Sequence, residues 1–212
     1  MRITVFGAAG QVGSRAVAEA LDRGHEVTAV LRSPARAHEV PAGAEVRIGD
    51  AASIEDIIDL SVGQDLVISA TRPTPGNEDE LVSTTRALLA GLARTRVRLL
   101  VVGGAATLTV PGTAGVTVMD EPDFPAELRG IARACADQLE VCRADASAQW
   151  TYLSPPALLE PGTRTGLFRL GTDDLLVDAD GASVLSMEDL AVALLDEAER
   201  PRHHRVRFTA AY

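Results

Sequence analysis

Short runs of β-branched and aliphatic residues alternate along this chain with stretches whose apolar residues recur at helical spacing. Arg2 to Phe6 (RITVF) is the first strand-like run, and glycines follow it at once. From Val12 to Arg23 the apolar residues Val12, Ala16, Val17, Ala20 and Leu21 fall on one helical face, and Gly24 stands where a helix-ending glycine belongs. Glu26 to Leu31 (EVTAVL) is the next strand. Strand, glycine loop, helix and strand together occupy about thirty residues, the size of one βαβ unit.

The alternation continues. Glu45 to Ile48 predicts a third strand, and Ser53-x-x-Asp56 a capping box that opens a helix. Leu66 to Ser69 predicts a fourth strand. Asn77 is expected to cap a helix with Glu78, Asp79 and Glu80 in its first turn, running to about Ala93 and burying Leu81, Leu88, Leu89 and Leu92. Val97 to Val102 is a fifth strand, and Pro111 to Pro125 a long loop. The helix after it turns Ile131, Cys135, Leu139 and Cys142 inward. Trp150 to Leu153 is a sixth strand, the Pro-, Gly- and Thr-rich stretch from Ser154 to Gly171 a loop region, Ser186-x-x-Asp189 the cap of a last helix, and Val206 to Thr209 a closing strand. Strands in alternation with helices predict an α/β fold: a doubly wound, mostly parallel Rossmann sheet with helices on both faces, formed by residues 1–212 as one domain.

Composition sharpens this picture. Apolar residues make up 46% of the 212 and aromatics only 3%, so the core must be aliphatic, as suits parallel strands covered by helices. The net charge of −10 opposes binding to phosphate backbones, and no nucleic-acid partner is expected. All twenty basic residues are arginine. Chemistry that needs a lysine is therefore excluded: Schiff bases, a phosphate-loop lysine, and a Tyr-x-x-x-Lys proton relay. Cys135 and Cys142 would sit about two turns apart on one helix face, roughly 10 Å, too far for a disulfide. No run is apolar enough to span a bilayer, and Met1-Arg2 leads directly into a strand, so a cytoplasmic protein without a membrane partner is expected. The four histidines lack metal-ligand spacing, and no metal is expected.

Gly7-Ala8-Ala9-Gly10-Gln11-Val12-Gly13 reads G-x-x-G-x-x-G between a strand and a helix, the context that gives the motif meaning. Gly7 permits the turn, Gly10 lets backbone approach a pyrophosphate, and Gly13 allows close helix packing. Backbone N–H groups from Ala9 through Val12 then face the phosphates. A site for NAD usually has an acid at the end of the second strand; here that strand ends Leu31-Arg32-Ser33, which suits a 2′-phosphate held by Arg32 and Ser33 with Arg36 adding charge. The expected cofactor is thus NADP(H). Asp50, beside Ala51, is placed to accept from an adenine amino group. Ala70-Thr71, Gly103-Gly104 and Pro155 end the later strands, where small residues and backbone groups would admit the nicotinamide half. Thr107 is the candidate orienting hydroxyl and thus the candidate catalytic residue. Glu127 is a candidate proton source, and Phe124 and Phe168 are candidate flanks for a substrate.

Several of these stretches together resemble the atypical short-chain dehydrogenase/reductases, in particular the NAD(P)H-flavin reductase and biliverdin-reductase-like branch. The carriers are GAAGQVGS at 7–14, VLRSP at 30–34, GD at 49–50, VVGGAATL at 101–108, WTYLSPPALLEPGTRTG at 150–166 and RFTAAY at 207–212. The resemblance implies a Rossmann core, NADP(H) at the positions above, and a small C-terminal substrate lobe, placed at residues 154–185. The chain departs from the wider superfamily in its catalytic centre: Tyr152 is followed four residues on by Pro156, and Tyr212 is the last residue. What survives is hydride transfer to a flavin-like or other conjugated small-molecule acceptor, with the proton drawn from water. The alternative is a non-catalytic NADP-binding sensor. A monomer or a homodimer is expected.

Overall fold

A computed structural model describes residues 1–212. Its main sheet has eight strands in the order β3-β2-β1-β4-β5-β6-β10-β8. These are β1 (Arg2–Phe6), β2 (Glu26–Leu31), β3 (Glu45–Ile48), β4 (Leu66–Ser69), β5 (Arg98–Val102), β6 (Trp150–Ser154), β8 (Arg169–Gly171) and β10 (Arg207–Ala211). All pairings are parallel except that of β8 with β10. The order reverses between β1 and β4, so the two halves diverge from the first strand and open a crevice at its carboxyl end.

Strand side chains alternate between two helical layers. Ile3 and Val5 of β1, Leu153 of β6, and Phe208 and Ala210 of β10 join the core under α1 (Gln11–Asp22) and α5 (Met187–Glu199). Phe6, Trp150 and Tyr152 join the opposite core, under α2 (Ile54–Ser61), α3 (Glu80–Thr95) and α4 (Arg129–Ala144). Each layer is almost wholly aliphatic, because both sheet faces are covered and flat aromatic area is scarce.

The local signals act as expected at most boundaries. Gly24 takes φ +78° after α1. The Ser53 hydroxyl accepts from the Asp56 N–H, and the Ser186 hydroxyl accepts from the Asp189 N–H, at the starts of α2 and α5. Some features differ. α3 starts at Glu80 rather than after Asn77, because the Asn77 amide donates to the Thr74 hydroxyl and closes a turn instead. β10 runs on to Ala211, since β8 supplies it with an antiparallel partner that the Pro- and Gly-rich stretch did not announce. The same stretch holds β7 (Leu158–Glu160), which pairs in parallel with β9 (Val184–Ser186) as a separate small sheet.

The segment from 154 to 185 is strapped to the core by charge. Arg164 donates twice to Glu19 of α1, at 2.7 and 2.8 Å. The Asp189 carboxylate accepts from the N–H groups of Thr165 and Gly166 and from the Tyr212 hydroxyl, so the chain terminus closes onto the start of α5. No helix is long and apolar enough to cross a membrane.

Candidate functional site

The carboxyl edge of the sheet carries the predicted residues in spatial order: Asp50 beyond β3, Arg32 and Ser33 beyond β2, the glycine loop beyond β1, Ala70 and Thr71 beyond β4, Gly103 and Gly104 beyond β5, and Pro155 beyond β6. They lie far apart in sequence, and the sheet order alone makes them one row.

The glycine loop is shaped for close approach. Gly7 has φ +79°, and a Cβ there would lie 2.5 Å from the Ala70 carbonyl oxygen. A Cβ on Gly13 would lie 2.1 Å from the Gly7 oxygen, so helix α1 packs directly on the loop. Gly10 is the N-cap of α1 and offers no side-chain cap. The N–H groups of Gln11, Val12 and Gly13 consequently find no acceptor in the protein. Unpaired donors at the positive end of a helix dipole fit a pyrophosphate, with Gln11 exposed, Val12 half-buried and Gly13 buried. Ala9 is buried beneath, and Gln11 is exposed.

At the adenosine end, Arg32 is exposed and has no hydrogen-bond or ion-pair partner, whereas Arg36 is engaged. Arg36 pairs with Glu39 and donates to the Ala9 carbonyl at 2.8 Å, so it braces the loop rather than waiting for a phosphate. The Ser33 oxygen accepts from the Ala35 N–H and caps the 3-10 turn at Pro34–Glu39, which leaves its proton free to donate. Asp50 is exposed and spends one carboxylate oxygen on the Ala52 N–H, leaving the other unpaired; Ala51 is buried in the core. These residues fit an adenosine with a 2′-phosphate.

At the other end, small residues are required by their neighbours. A Cβ on Gly103 would fall 1.8 Å from the Tyr152 ring, and one on Gly104 would fall 2.9 Å from the Cys135 Cβ. The Tyr152 hydroxyl accepts from the Gly104 N–H at 3.2 Å and lies 3.1 Å from the Cys135 carbonyl oxygen, to which it donates. Its ring is buried, and burial pushes its pKa well above the ordinary value. This tyrosine is a strut under the site. Burial likewise raises the thiol of Cys135 to about 11 and that of Cys142 to about 12, so both remain protonated and inert. Ala70 and Thr71 are half-exposed, and the Thr71 hydroxyl lies 3.1 Å from that of Ser69. Pro155 is buried and so can meet a ligand only through adjoining backbone.

Thr107 follows the β5 glycines, half-buried, and its hydroxyl oxygen accepts from the Arg207 guanidinium at 2.7 Å. Arg207 in turn is held by Asp173. Neither partner was visible as a site residue in the sequence: Arg207 stands inside a strand of mixed character, and Asp173 in a loop. Glu127 is exposed on a 3-10 turn. Phe124 and Phe168 do not flank one space. Phe124 packs with Leu108, Val118 and Leu175 beneath Arg129, while Phe168 packs on the α1/α5 side of the sheet. No group of three or more His, Cys, Asp or Glu side chains is arranged to hold a metal ion.

Comparison with known proteins agrees with this geometry. A family model described as NAD(P)H-binding matches residues 7–201. The uncharacterized protein YwnB of Bacillus subtilis (strain 168) is 38% identical over 99% of this chain and 97% of its own. A solved structure of SP1627 from Streptococcus pneumoniae TIGR4, whose provisional description is NADH-flavin reductase, is 34% identical with a TM-score of 0.90, covering 100% of this chain and 99% of that one. Another, from Bacteroides thetaiotaomicron and provisionally described as an epimerase, is 37% identical with a TM-score of 0.91, covering 100% and 96%. The chain belongs to the NAD(P)H-binding family of atypical short-chain dehydrogenase/reductases.

Proposed function

We propose that the protein is an NADPH-dependent reductase that delivers hydride to a flavin-like or other conjugated small-molecule acceptor. The observation that carries this reading is the fate of the two tyrosines. Tyr152 is locked under Gly103 and Gly104, and Tyr212 is bound to Asp189 and Ser186 at the start of α5. With no lysine in the chain, no side chain at this edge is set to hand over a proton. Reducing an isolated carbonyl, or removing and returning a proton at carbon as an epimerase must, needs such a group. A conjugated acceptor delocalises the arriving electron pair and takes its proton from water.

When bound, the reduced nicotinamide supplies the hydride. The chain's own work is to bind and orient. Gln11 and Val12 offer N–H groups to the pyrophosphate, and Arg32 with Ser33 favours a 2′-phosphate. Gly103 and Gly104 let Tyr152 and Cys135 pack directly against the end of β5, and proximity is the main catalytic contribution.

Anaerobic mixing with NADPH and a panel of flavins, quinones and tetrapyrroles tests the proposal. Oxidation of NADPH matched by reduction of an acceptor is expected. NADPH binding without oxidation by any member of the panel would overturn it in favour of a sensor.

A further inference from the structure

Arginines crowd two short segments, Arg94 to Arg98 (RTRVR) and Arg200 to Arg207 (RPRHHRVR), and neither segment holds an acid. They lead into β5 and β10, which flank β6. Parallel pairing therefore brings them together at the amino-terminal edge of the sheet, away from the dinucleotide row. In a chain of net charge −10 this edge is a local reversal of sign. Arg98 is neutralised by Glu197, Arg200 by Asp196 and Arg207 by Asp173. Arg94, Arg96, Arg202 and Arg205 are exposed, and none of them forms an ion pair. The acids of the adjoining segments are spent elsewhere. Glu199 meets Arg23 and His25, and Asp145 accepts from the N–H groups of Ser147 and Ala148.

A basin of about 390 Å³ opens at this edge, lined by Arg98, Gln149, Trp150, His204 and Arg205. Arg205 is preset in it. Its φ of +54° lies in the left-handed region, which a residue with a side chain keeps only where its surroundings fix it. Two bonds do so: the Arg205 N–H donates to the Trp150 carbonyl at 2.8 Å, and Nε donates to the Ala148 carbonyl at 3.0 Å. Both Nη groups are left without an acceptor in the protein, as an open fork. The exposed His204 ring and Gln149 amide beside it make no hydrogen bond within the protein either. A fixed guanidinium with no counter-ion, joined by further donors, fits an oxyanion. Donors from three separate side chains suit the three free oxygens of a phosphate ester better than the two of a carboxylate.

We propose that this basin is a second anion site, which holds the phosphate group of a small phosphorylated compound on Arg205, His204 and Gln149. The volume leaves room for the body that carries the phosphate. The site lies at the opposite ends of the strands that carry the dinucleotide row, so its ligand and the cofactor do not compete, and it does not depend on the reductase reading. It also carries its own reporter. Trp150 is the only tryptophan of the chain and forms one wall of the basin.

The test follows Trp150 fluorescence in protein saturated with NADP⁺, so that the dinucleotide site is already filled. Glycerol 3-phosphate, inorganic phosphate and acetate are titrated at constant ionic strength. A saturable change is expected with both phosphates and none with acetate, the ester binding at least as tightly as the free ion. Arg205→Gly removes the fork and places at φ +54° the residue that suits it, so the turn is kept. It should weaken phosphate binding roughly tenfold or more, the worth of a charged hydrogen bond, and His204→Ala should weaken it by a smaller factor. Gln149→Glu, at an exposed position, puts a like charge on the rim and should abolish binding with the circular dichroism spectrum intact. NADPH affinity should stay unchanged in all three variants. No saturable change with either phosphate, an equal response to acetate, or undiminished binding in Arg205→Gly or in Gln149→Glu would overturn the proposal. An ester that binds far more weakly than inorganic phosphate would overturn the assignment to a phosphorylated compound.

Discussion

The Arg36 guanidinium donates to the carbonyl oxygen of Ala9 at 2.8 Å and so ties the turn after β2 to the glycine loop. With Nε and Nη2 also on Glu39, Arg36 is ion-paired, and Arg32 is left as the unpaired cation at the end of β2. The two arginines should therefore behave differently. Arg32→Ala should weaken NADPH binding by roughly 1.5–3 kcal/mol, the worth of a charged hydrogen bond, and leave NADH almost unchanged. Arg36→Ala should weaken both cofactors equally and less. Calorimetry with the four combinations decides it, and equal wild-type affinities for NADP and NAD would refute the role given to Arg32.

Two glycines of the loop separate binding from folding. A Cβ on Gly10 would stand 3.1 Å from the Gly7 oxygen, a tight contact that a small shift relieves. Gly10→Val should abolish dinucleotide binding with the circular dichroism spectrum intact. At Gly13 the same atom would lie 2.1 Å from backbone that cannot move aside. Gly13→Ala should lower stability by about 1–3 kcal/mol or more through overpacking. Cofactor affinity retained in Gly10→Val would mean the loop is only a turn.

Tyr152→Phe keeps the ring that fills the space over Gly103 and removes the hydroxyl that meets Gly104 N–H and the Cys135 carbonyl. Stability should fall by about 1–2 kcal/mol in urea titration, while NADPH oxidation stays within about threefold of wild type. A loss of several orders of magnitude in rate would identify Tyr152 as a proton donor after all.

At the opposite, amino-terminal edge of the sheet, Glu197 is 3% exposed and joins α5 to β5. Burial by itself raises its pKa, but hydrogen bonds from the His203 N–H and ring, from Arg98 and from the Arg202 N–H outweigh burial and leave it below the ordinary carboxylate value. The folded state thus holds this carboxylate ionised more firmly than the unfolded chain does. Its contribution is fully present above the unfolded value of about 4.3 and is lost as pH falls through the lower folded value. Glu197→Gln should cost about 3–5 kcal/mol at neutral pH, as breaking a buried pair does, and should flatten the acid limb of the stability curve. An acid limb identical to wild type would show that other carboxylates set it.

The strands β1 to β6, the five helices and the glycine loop were legible in the sequence because their signals are local. A β-branched run, a glycine at φ +78° after α1 and a serine whose hydroxyl meets an N–H three residues on all act within a turn or two of chain. That the candidate cofactor residues share one edge was legible for the same reason: each member ends a strand, and parallel strands bring their ends to one edge. Where tertiary pairing competes with local preference, the reading shifted. Asn77 closes a turn instead of capping α3, β10 gains two residues from its pairing with β8, and Phe124 and Phe168 pack in separate clusters.

What only the tertiary structure decided is which side chains meet. Thr107 and Arg207 are 100 residues apart and touch because β5, β6 and β10 lie side by side in one register. Shifting that register by one residue would turn Arg207 to the other face of the sheet and leave Thr107 unheld. The sequence by itself determined a dinucleotide fold with a site for a nicotinamide cofactor, since turns, caps and alternation are written in neighbouring residues. The strut role of Tyr152 and the anchoring of Thr107 followed only from long-range packing, which no local pattern encodes.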